Sequence, residues 1–165
     1  MASYESGKKE VCKWIRDNFR KGSTCLDVGA CDGNWYERLG DWLEMDAVEI
    51  FEPYIEANDL RQKYNRVFTG SISDYEYDHY DLIIFGDVIE HMTVEQAHNA
   101  LAYARVRCDD MIVAVPYLYE QGPINGNEHE THVQPELTEE LFKQRYPGFK
   151  ILHKPNEKYC YWHVG

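Results

Sequence analysis

One stretch of the chain decides its fold, and it reads Leu26-Asp27-Val28-Gly29-Ala30-Cys31-Asp32-Gly33-Asn34. It begins in the apolar run Thr24 to Val28, which is typical of a parallel strand that is covered on both faces. Gly29 and Gly33 then bracket a tight turn, where a missing Cβ lets the backbone approach a ligand closely. A helix is predicted from Asn34 to Leu43. Because ligands of open α/β sheets bind beyond the carboxyl ends of the strands, the turn is the predicted ligand site.

The rest of the chain repeats this alternation of strand and helix. Apolar runs predict four further strands, at Ala47 to Phe51, Arg66 to Thr69, Asp81 to Phe85 and Met111 to Val115. Helical patterns lie around Val11 to Phe19, Tyr54 to Tyr64, Thr93 to Arg107 and Thr138 to Tyr146. This alternation predicts an α/β fold, with a mostly parallel, doubly wound sheet and helices on both faces. Two short final strands, Phe149 to His153 and Tyr159 to His163, predict a C-terminal antiparallel hairpin.

Length, charge and cysteine content narrow the function classes. The 165 residues suit a single domain over 1–165. The 17 Lys and Arg against 29 Asp and Glu give a formal charge of -12, which disfavours nucleic acid and anionic membranes as partners. The five cysteines include no Cys-x-x-Cys pair, and no apolar stretch resembles a signal or membrane segment. We therefore expect a soluble cytoplasmic protein with reduced thiols.

The residue at the end of the second predicted strand points to a nucleoside ligand. Glu49 follows Gly29 by about 20 residues, the spacing at which an acid reaches ribose hydroxyls in dinucleotide-type sites, and Glu52 is the alternative acid. The turn lacks the second glycine of G-x-G-x-x-G, and the chain has no G-x-x-x-x-G-K-[ST] loop, so pyrophosphate and ATP are disfavoured. Asp27 and Asp32 favour a cation. A cationic adenosine derivative without phosphate, such as S-adenosylmethionine, fits best.

Three segments of the chain follow the order expected for a known enzyme family. The first is the turn from Leu26 to Gly33, and the second is Asp87-Val88-Ile89-Glu90-His91-Met92 after the fourth strand. The third contains His132, Leu137-Thr138-Glu139-Glu140-Leu141 and Gly148-Phe149. Together they resemble the class I S-adenosylmethionine-dependent methyltransferases, in their small-molecule branch, over roughly residues 20–165. The resemblance implies a Rossmann-like fold of seven strands, S-adenosylmethionine as cofactor, and methyl transfer to a small or medium-sized acceptor.

The resemblance also implies roles for particular residues. The turn would hold the methionine moiety and Glu49 the ribose. Residues after the second and third strands would border the adenine, while those that close the fourth would approach the sulfonium. The implied cofactor-binding residues are Asp27, Gly29, Ala30, Cys31, Gly33, Glu49, Ile50, Phe51, Ser71, Ile72, Asp87 and Val88. Cys31 departs from the family pattern, since many members have a glycine there, and it implies a bulkier turn.

Methyl transfer from a sulfonium needs alignment of acceptor, methyl and sulfur, and a base when the acceptor carries a proton. The candidate bases are Glu90, His91, His129 and His132, with His132 and His91 preferred because imidazole titrates near neutral pH. The run from His129 to His132 is not H-E-x-x-H. We interpret it as solvated loop residues and predict no metal site. A site that joins His91 or Glu90 to this run is the open alternative.

Two segments are candidates for closing the site. Residues 117–136 form a long connection with aromatic residues and glycines, which predicts a lid over the acceptor. Residues 1–22, with Tyr4 and Trp14, predict an N-terminal helix that closes the other side or packs on the core. We expect these loops, or a partner protein, to recognise the acceptor. Two other functions stay open: a non-catalytic S-adenosylmethionine-binding module of a larger complex, and a nicotinamide-dependent oxidoreductase, which the missing second glycine disfavours.

Overall fold

The computed structural model describes residues 5–165, so Tyr4 lies outside the described residues. The strands in this part are β1 (Thr24–Val28), β2 (Glu44–Glu49), β3 (Val67–Thr69), β4 (Tyr80–Gly86), β5 (Cys108–Pro116), β6 (Lys150–Asn156) and β7 (Tyr159–Val164). The α-helices are α1 (Lys8–Asn18), α2 (Asn34–Leu39), α3 (Glu52–Ala57), α4 (Leu60–Lys63), α5 (Val94–Arg105) and α6 (Glu139–Arg145). Short 3-10 helices lie at Ile72–Asp74, Ile89–His91 and Glu128–Glu130.

The strands form one sheet in the order β3-β2-β1-β4-β5-β7-β6. Strands β1 to β5 pair in parallel, whereas β7 is antiparallel to both β5 and β6. Val28 pairs with Val48 of β2 and with Phe85 of β4, so three strands end at one edge of the sheet. The strand order reverses between β1 and β4, which is where such sheets bind ligands. The predicted fold class, a seven-stranded Rossmann-like sheet with a C-terminal antiparallel hairpin, is confirmed.

Two apolar layers cover the sheet, one on each face, because alternate residues of a strand point to opposite sides. On one face, Leu26 and Val28 of β1 belong to a core that includes the buried side of α5 and Phe142 of α6. On the other face, Cys25 belongs to a core formed with helices α1 to α4, including Ile15 of α1. The early and late helices therefore lie on opposite faces, as the alternation of strands and helices predicts.

Several element boundaries differ from the sequence prediction; α2, for example, ends at Leu39 rather than at Leu43. Two further differences have a local cause. Strand β2 ends at Glu49 rather than at Phe51, because the Glu49 side chain accepts the backbone N–H of Phe51 and the chain turns there. The helix predicted over 54–64 is divided into α3 and α4, because Asp59 adopts a left-handed backbone with φ 51°. Among residues 5–165, we find no helix whose length and apolar character would let it span a membrane.

Candidate functional site

A cavity of about 880 Å³ opens at the carboxyl ends of β1, β2, β4 and β5. This volume falls in the range of roughly 300–1,000 Å³ that is usual for small-molecule sites. At the cavity wall, the turn after β1 meets the loop after β4: a Cβ built on Gly29 would lie 2.6 Å from Val88 Cγ2. A side chain at Gly29 would therefore collide with Val88. The cavity lies at the switch point of the sheet, where the sequence predicted a ligand.

Backbone hydrogen bonds hold the β1 turn against β2. The N–H groups of Gly29 and Ala30 donate to the carbonyl of Val48 at 2.8 and 3.3 Å. Gly29, Cys31 and Gly33 have φ angles of 73°, 47° and 77°, in the left-handed region that favours glycine. Cys31 thus carries a side chain in a conformation that costs about 1–2 kcal/mol for an L-residue. The position at which the family resemblance expects a glycine is one whose backbone suits a glycine.

Glu49 lies at the end of β2 with its carboxylate bound to two backbone groups. The N–H of Cys31 donates to Oε2 and that of Phe51 donates to Oε1, both at 2.8 Å. The side chain is 4% exposed, and burial raises the pKa of Glu49 while these two hydrogen bonds lower it. Each carboxylate oxygen has two acceptor sites. Both oxygens therefore keep capacity for a further donor, and Glu49 lines the cavity.

The structure divides the predicted cofactor-binding residues into two groups. One group lines the cavity and consists of Gly29, Ala30, Cys31, Glu49, Ile50, Ser71, Asp87 and Val88. The other group lies behind the wall and consists of Asp27, Gly33, Phe51 and Ile72. The alternative acid, Glu52, is exposed at the start of α3.

Asp27 does not reach the cavity because of strand alternation. Its neighbours Leu26 and Val28 pack on one face of the sheet, so Asp27 points to the opposite face. There the hydroxyl of Tyr64 donates to Asp27 Oδ2 at 2.5 Å. Burial raises the pKa of Asp27 to about 7. Asp27 therefore contributes a buried, partly protonated carboxyl group behind the turn rather than a direct ligand contact.

The other three residues behind the wall support the turns of the site. A Cβ on Gly33 would meet the side chain of Lys63 at 3.3 Å, so Gly33 faces α4. The Phe51 ring packs edge-on against Tyr54, with ring centroids 4.9 Å apart, and it is Tyr54 that lines the cavity. Ile72 is buried in the core. These residues were predicted from their position after a strand, which does not determine where a side chain points.

The candidate bases Glu90, His91 and His132 converge on one side of the cavity. One ligand-type atom from each of the three lies within 4.8 Å of the others. The rings of His91 and His132 are 4.7 Å apart between centroids, in an edge-on arrangement. His129 lines the same cavity but is exposed. His132 is only 9% exposed, which corrects the interpretation of the run from His129 to His132 as solvated loop residues.

Hydrogen bonds fix the tautomers of the two imidazoles. Nδ1 of His91 lies 3.2 Å from the carbonyl oxygen of Thr131, and Nδ1 of His132 lies 2.7 Å from that of Tyr119. A carbonyl oxygen only accepts, so each Nδ1 donates and each neutral ring keeps Nε2 as an acceptor. Burial lowers the pKa of both histidines, and the charge of His132 lowers that of His91 further. Both rings are therefore neutral bases at physiological pH.

Glu90 is an unsatisfied carboxylate inside the protein. It is 1% exposed, and neither of its oxygens has a hydrogen-bond partner within residues 5–165. Burial, followed by the nearby charge of Asp87, raises the pKa of Glu90 well above its usual range. A buried polar group without a partner lowers the stability of the fold by on the order of several kcal/mol. Glu90 also lines the cavity, so its partner can enter from there.

The long connection after β5 forms the wall around these three residues. Tyr119, Gln121 and His132 of this segment line the cavity. The segment is fastened to the Ile89–His91 helix, because the N–H groups of Val133 and Gln134 donate to the Glu90 carbonyl at 2.8 and 3.1 Å. That residues 117–136 open and close as a lid stays a prediction.

The sequence interpretation missed Lys8, which is fully buried beside the site. Its Nζ donates to Asn34 Oδ1 at 2.9 Å and lies 5.2 Å from the ring centroid of Trp35, and both partners line the cavity. Burial lowers the pKa of Lys8, opposed first by the charge of Asp87. Helical spacing could have located it, since positions 8, 11, 12 and 15 share the buried face of α1.

The fold of the chain is similar to that of several solved structures. No protein-family model and no curated protein sequence matches the chain. Among solved structures, an S-adenosylmethionine-dependent methyltransferase from Clostridium acetobutylicum ATCC 824 is similar with a TM-score of 0.74 and 12% identity, covering 99% of this chain and 94% of that one. The DhpI-SAM-HEP complex is similar with a TM-score of 0.72 and 11% identity, covering 95% and 84%.

A third structure, magnesium protoporphyrin IX methyltransferase from Synechocystis PCC 6803 with bound SAH, has a TM-score of 0.65 and 14% identity, covering 94% of this chain and 80% of that one. At identities this low, structural similarity establishes the fold alone, and the activity has to be argued from the site. The chain therefore has the fold of the class I S-adenosylmethionine-dependent methyltransferases, and the resemblance drawn from its motifs is confirmed at that level.

Proposed function

We propose that the chain is an S-adenosylmethionine-dependent methyltransferase that acts on a small or medium-sized acceptor. The observation that carries this proposal is the Glu49 carboxylate, which faces the cavity beside the β1 turn. Each of its oxygens accepts one backbone N–H and can accept a second donor, as a ribose diol requires. Two of the similar structures are named as complexes with SAM or SAH, which agrees with this choice of cofactor.

The charge of the cavity suits a sulfonium better than a phosphate. Its wall carries the acidic residues Asp32, Glu49, Asp87, Glu90 and Glu130. The raised pKa of Glu90 favours its neutral form, but the other four acids outnumber Lys158, the one Lys or Arg among the described lining residues. The wall therefore attracts a cation and repels a pyrophosphate. A nicotinamide cofactor is further disfavoured because the side chain of Cys31 occupies the place of the second glycine, where the backbone must approach the pyrophosphate.

The cavity also accommodates the geometry of the reaction. Transfer of a methyl group from sulfur is an in-line displacement, so most of the rate enhancement comes from holding acceptor, methyl and sulfur in one line. With the cofactor on the turn after β1, the acceptor occupies the side formed by Glu90, His91, His129 and His132. Proton removal there contributes about 100- to 10,000-fold where the acceptor carries a proton. The formal charge of -12 favours a small acceptor over a nucleic acid.

Thermal unfolding with candidate ligands tests the cofactor. At ligand concentrations about 100-fold above Kd, binding stabilises the native state by ~2.7 kcal/mol, which raises Tm by roughly 5–10 °C for a domain of this size. We expect this shift with S-adenosylmethionine and S-adenosylhomocysteine and none with NAD at equal concentration. A shift with NAD alone contradicts the proposal.

Catalysis needs a separate test, because a binding module would give the same thermal shift. We expect labelled methyl groups from S-adenosylmethionine to be incorporated into a small-molecule fraction of cell extract. Cofactor binding without incorporation in any fraction would instead favour a non-catalytic module that serves a larger complex.

A further inference from the structure

The group formed by Glu90, His91 and His132 has the composition of a metal site. It offers one carboxylate and two imidazoles whose ligand-type atoms lie within 4.8 Å of one another. Ligands of one metal ion bind at about 2.0–2.2 Å from it, so small side-chain rotations bring three such atoms to a shared ion. Two histidines and one carboxylate with open positions form a recognised arrangement for divalent transition metals.

The hydrogen bonds of the two histidines favour metal binding independently of that spacing. Histidines that bind metals donate their second ring N–H to a carboxylate, a backbone carbonyl or a water. Here Nδ1 of each ring donates to a backbone carbonyl, that of Thr131 for His91 and that of Tyr119 for His132. Because Nδ1 carries the proton, Nε2 of each neutral ring keeps its lone pair. The backbone has thus oriented both imidazoles as ligands.

The buried side chain of Glu90 also supports metal binding. Its carboxyl group is 1% exposed and has no hydrogen-bond partner on either oxygen within the described residues, so its burial is costly unless a partner reaches it from the cavity. A divalent cation in the cavity supplies that partner. The three side chains come from two separate segments, and the backbone bonds from Val133 and Gln134 to the Glu90 carbonyl hold these segments together.

We propose that Glu90, His91 and His132 bind a divalent first-row transition metal ion that faces the acceptor side of the cavity. Imidazole ligands favour zinc, copper, iron or nickel, whereas magnesium, calcium and manganese prefer oxygen ligands. This replaces the sequence-based prediction of no metal site. It extends the proposed function, on which its catalytic consequence rests, by naming an oxygen acceptor.

In that role the ion holds a hydroxyl group of the acceptor and lowers its pKa. The hydroxyl loses its proton to water, and an oxygen lone pair forms the new bond to the methyl carbon. The carbon–sulfur bond breaks with its electron pair going to sulfur, giving a methyl ether, S-adenosylhomocysteine and a released proton. In this arrangement the two imidazoles polarise the acceptor through the ion instead of taking its proton themselves.

Metal titration in the absence of cofactor tests the site directly. Protein stripped with a chelator is titrated with Co²⁺, whose visible absorption reports its ligands, and with Zn²⁺ and Mn²⁺ by calorimetry. We expect one ion per chain. Glu90→Gln and His132→Gln should each weaken binding by more than ~100-fold, since even partners outside the ligand shell contribute 10- to 100-fold. The control is His98→Gln, at an exposed histidine of α5 that does not line the cavity, and this variant should bind the ion as the unchanged protein does.

Further measurements separate the possible outcomes. Circular dichroism establishes that each variant is folded. If Glu90→Gln does not fold, His132→Gln provides the test of the site. Acetohydroxamate, a bidentate oxygen ligand, should shift the Co²⁺ spectrum because three protein ligands leave positions open. Equal affinity in all variants, or no binding, overturns the metal site, and an unshifted spectrum overturns its role toward the acceptor. The thermal shift with S-adenosylhomocysteine, measured without metal, reports on the proposed function separately.

Discussion

Replacing Glu49 with glutamine tests the contact on which the proposed cofactor site depends. A ribose diol would donate two hydrogen bonds to the carboxylate, and hydrogen bonds to charged groups contribute about 1.5–3 kcal/mol each. Glutamine keeps one acceptor oxygen, while its NH2 group would face the N–H of Cys31 or Phe51, which both now donate to the carboxylate. At least one ribose bond is therefore lost. Each 1.4 kcal/mol of binding free energy changes Kd about tenfold. We therefore expect Kd for S-adenosylhomocysteine to rise roughly 10- to 100-fold in Glu49→Gln.

The assay is isothermal titration calorimetry, with Glu52→Gln as the matched control. Glu52 is exposed at the start of α3, and its replacement makes the same change in net charge three residues away. Glu49→Gln should stay folded, because burial raises the pKa of Glu49 and a neutral amide removes a buried charge. An unchanged Kd in Glu49→Gln, or an equal loss in Glu52→Gln, would refute the reasoning that assigns the ribose to Glu49.

Two further substitutions test the turn and the buried acid behind it. Gly29→Ala should lower the free energy of unfolding by ~1–3 kcal/mol and weaken S-adenosylhomocysteine binding, because its φ is 73° and its Cβ would lie 2.6 Å from Val88 Cγ2. Gly122→Ala, with no described atom within 4 Å of the added Cβ, is the control in urea unfolding, and equal losses would contradict the argument. Asp27→Asn should change stability with pH: burial raises the folded pKa of Asp27 from 3.8 to about 7, so its charge costs stability increasingly as pH rises between these values. At about 1.36 kcal/mol per pKa unit, the variant should be more stable by on the order of 4 kcal/mol at pH 8 and similar to the original at pH 4; equal urea midpoints at pH 8 would contradict this.

Local signals in the sequence predicted much of the fold. Strand β1 has the predicted bounds, because an apolar run that ends in glycine leaves little freedom. The helix predicted to begin at Thr93 does so, and Thr93 forms a capping box with Gln96 in which both hydrogen bonds are present. The break between α3 and α4 was not predictable, since it depends on the left-handed backbone of one residue, Asp59, in a stretch whose composition suits a helix.

The site was predictable where the backbone decides it and not where side-chain packing does. Gly29 and Glu49 follow from their positions at strand ends, which parallel pairing brings to one edge of the sheet. The grouping of Glu90 with His132 depends on how the connection after β5 folds back, through hydrogen bonds between residues more than 40 positions apart. Spacing within the run from His129 to His132 contained no information on that contact, so the sequence predicted a solvated His132 where the structure has a buried one.

Buried acids in and behind the cavity wall link the stability of the fold to the binding of cationic ligands. Burial raises the pKa of Asp27, Glu49 and Glu90, so each carboxylate makes the unliganded fold less stable when it is charged. The charge of the buried Lys8 offsets part of this cost for Asp27, although burial lowers the pKa of Lys8 itself. A sulfonium near the turn and a metal ion at Glu90 would each add positive charge where the fold has left negative charge in excess. The chain thus keeps acids inside at a cost to its own stability, and cationic ligands regain that free energy when they bind.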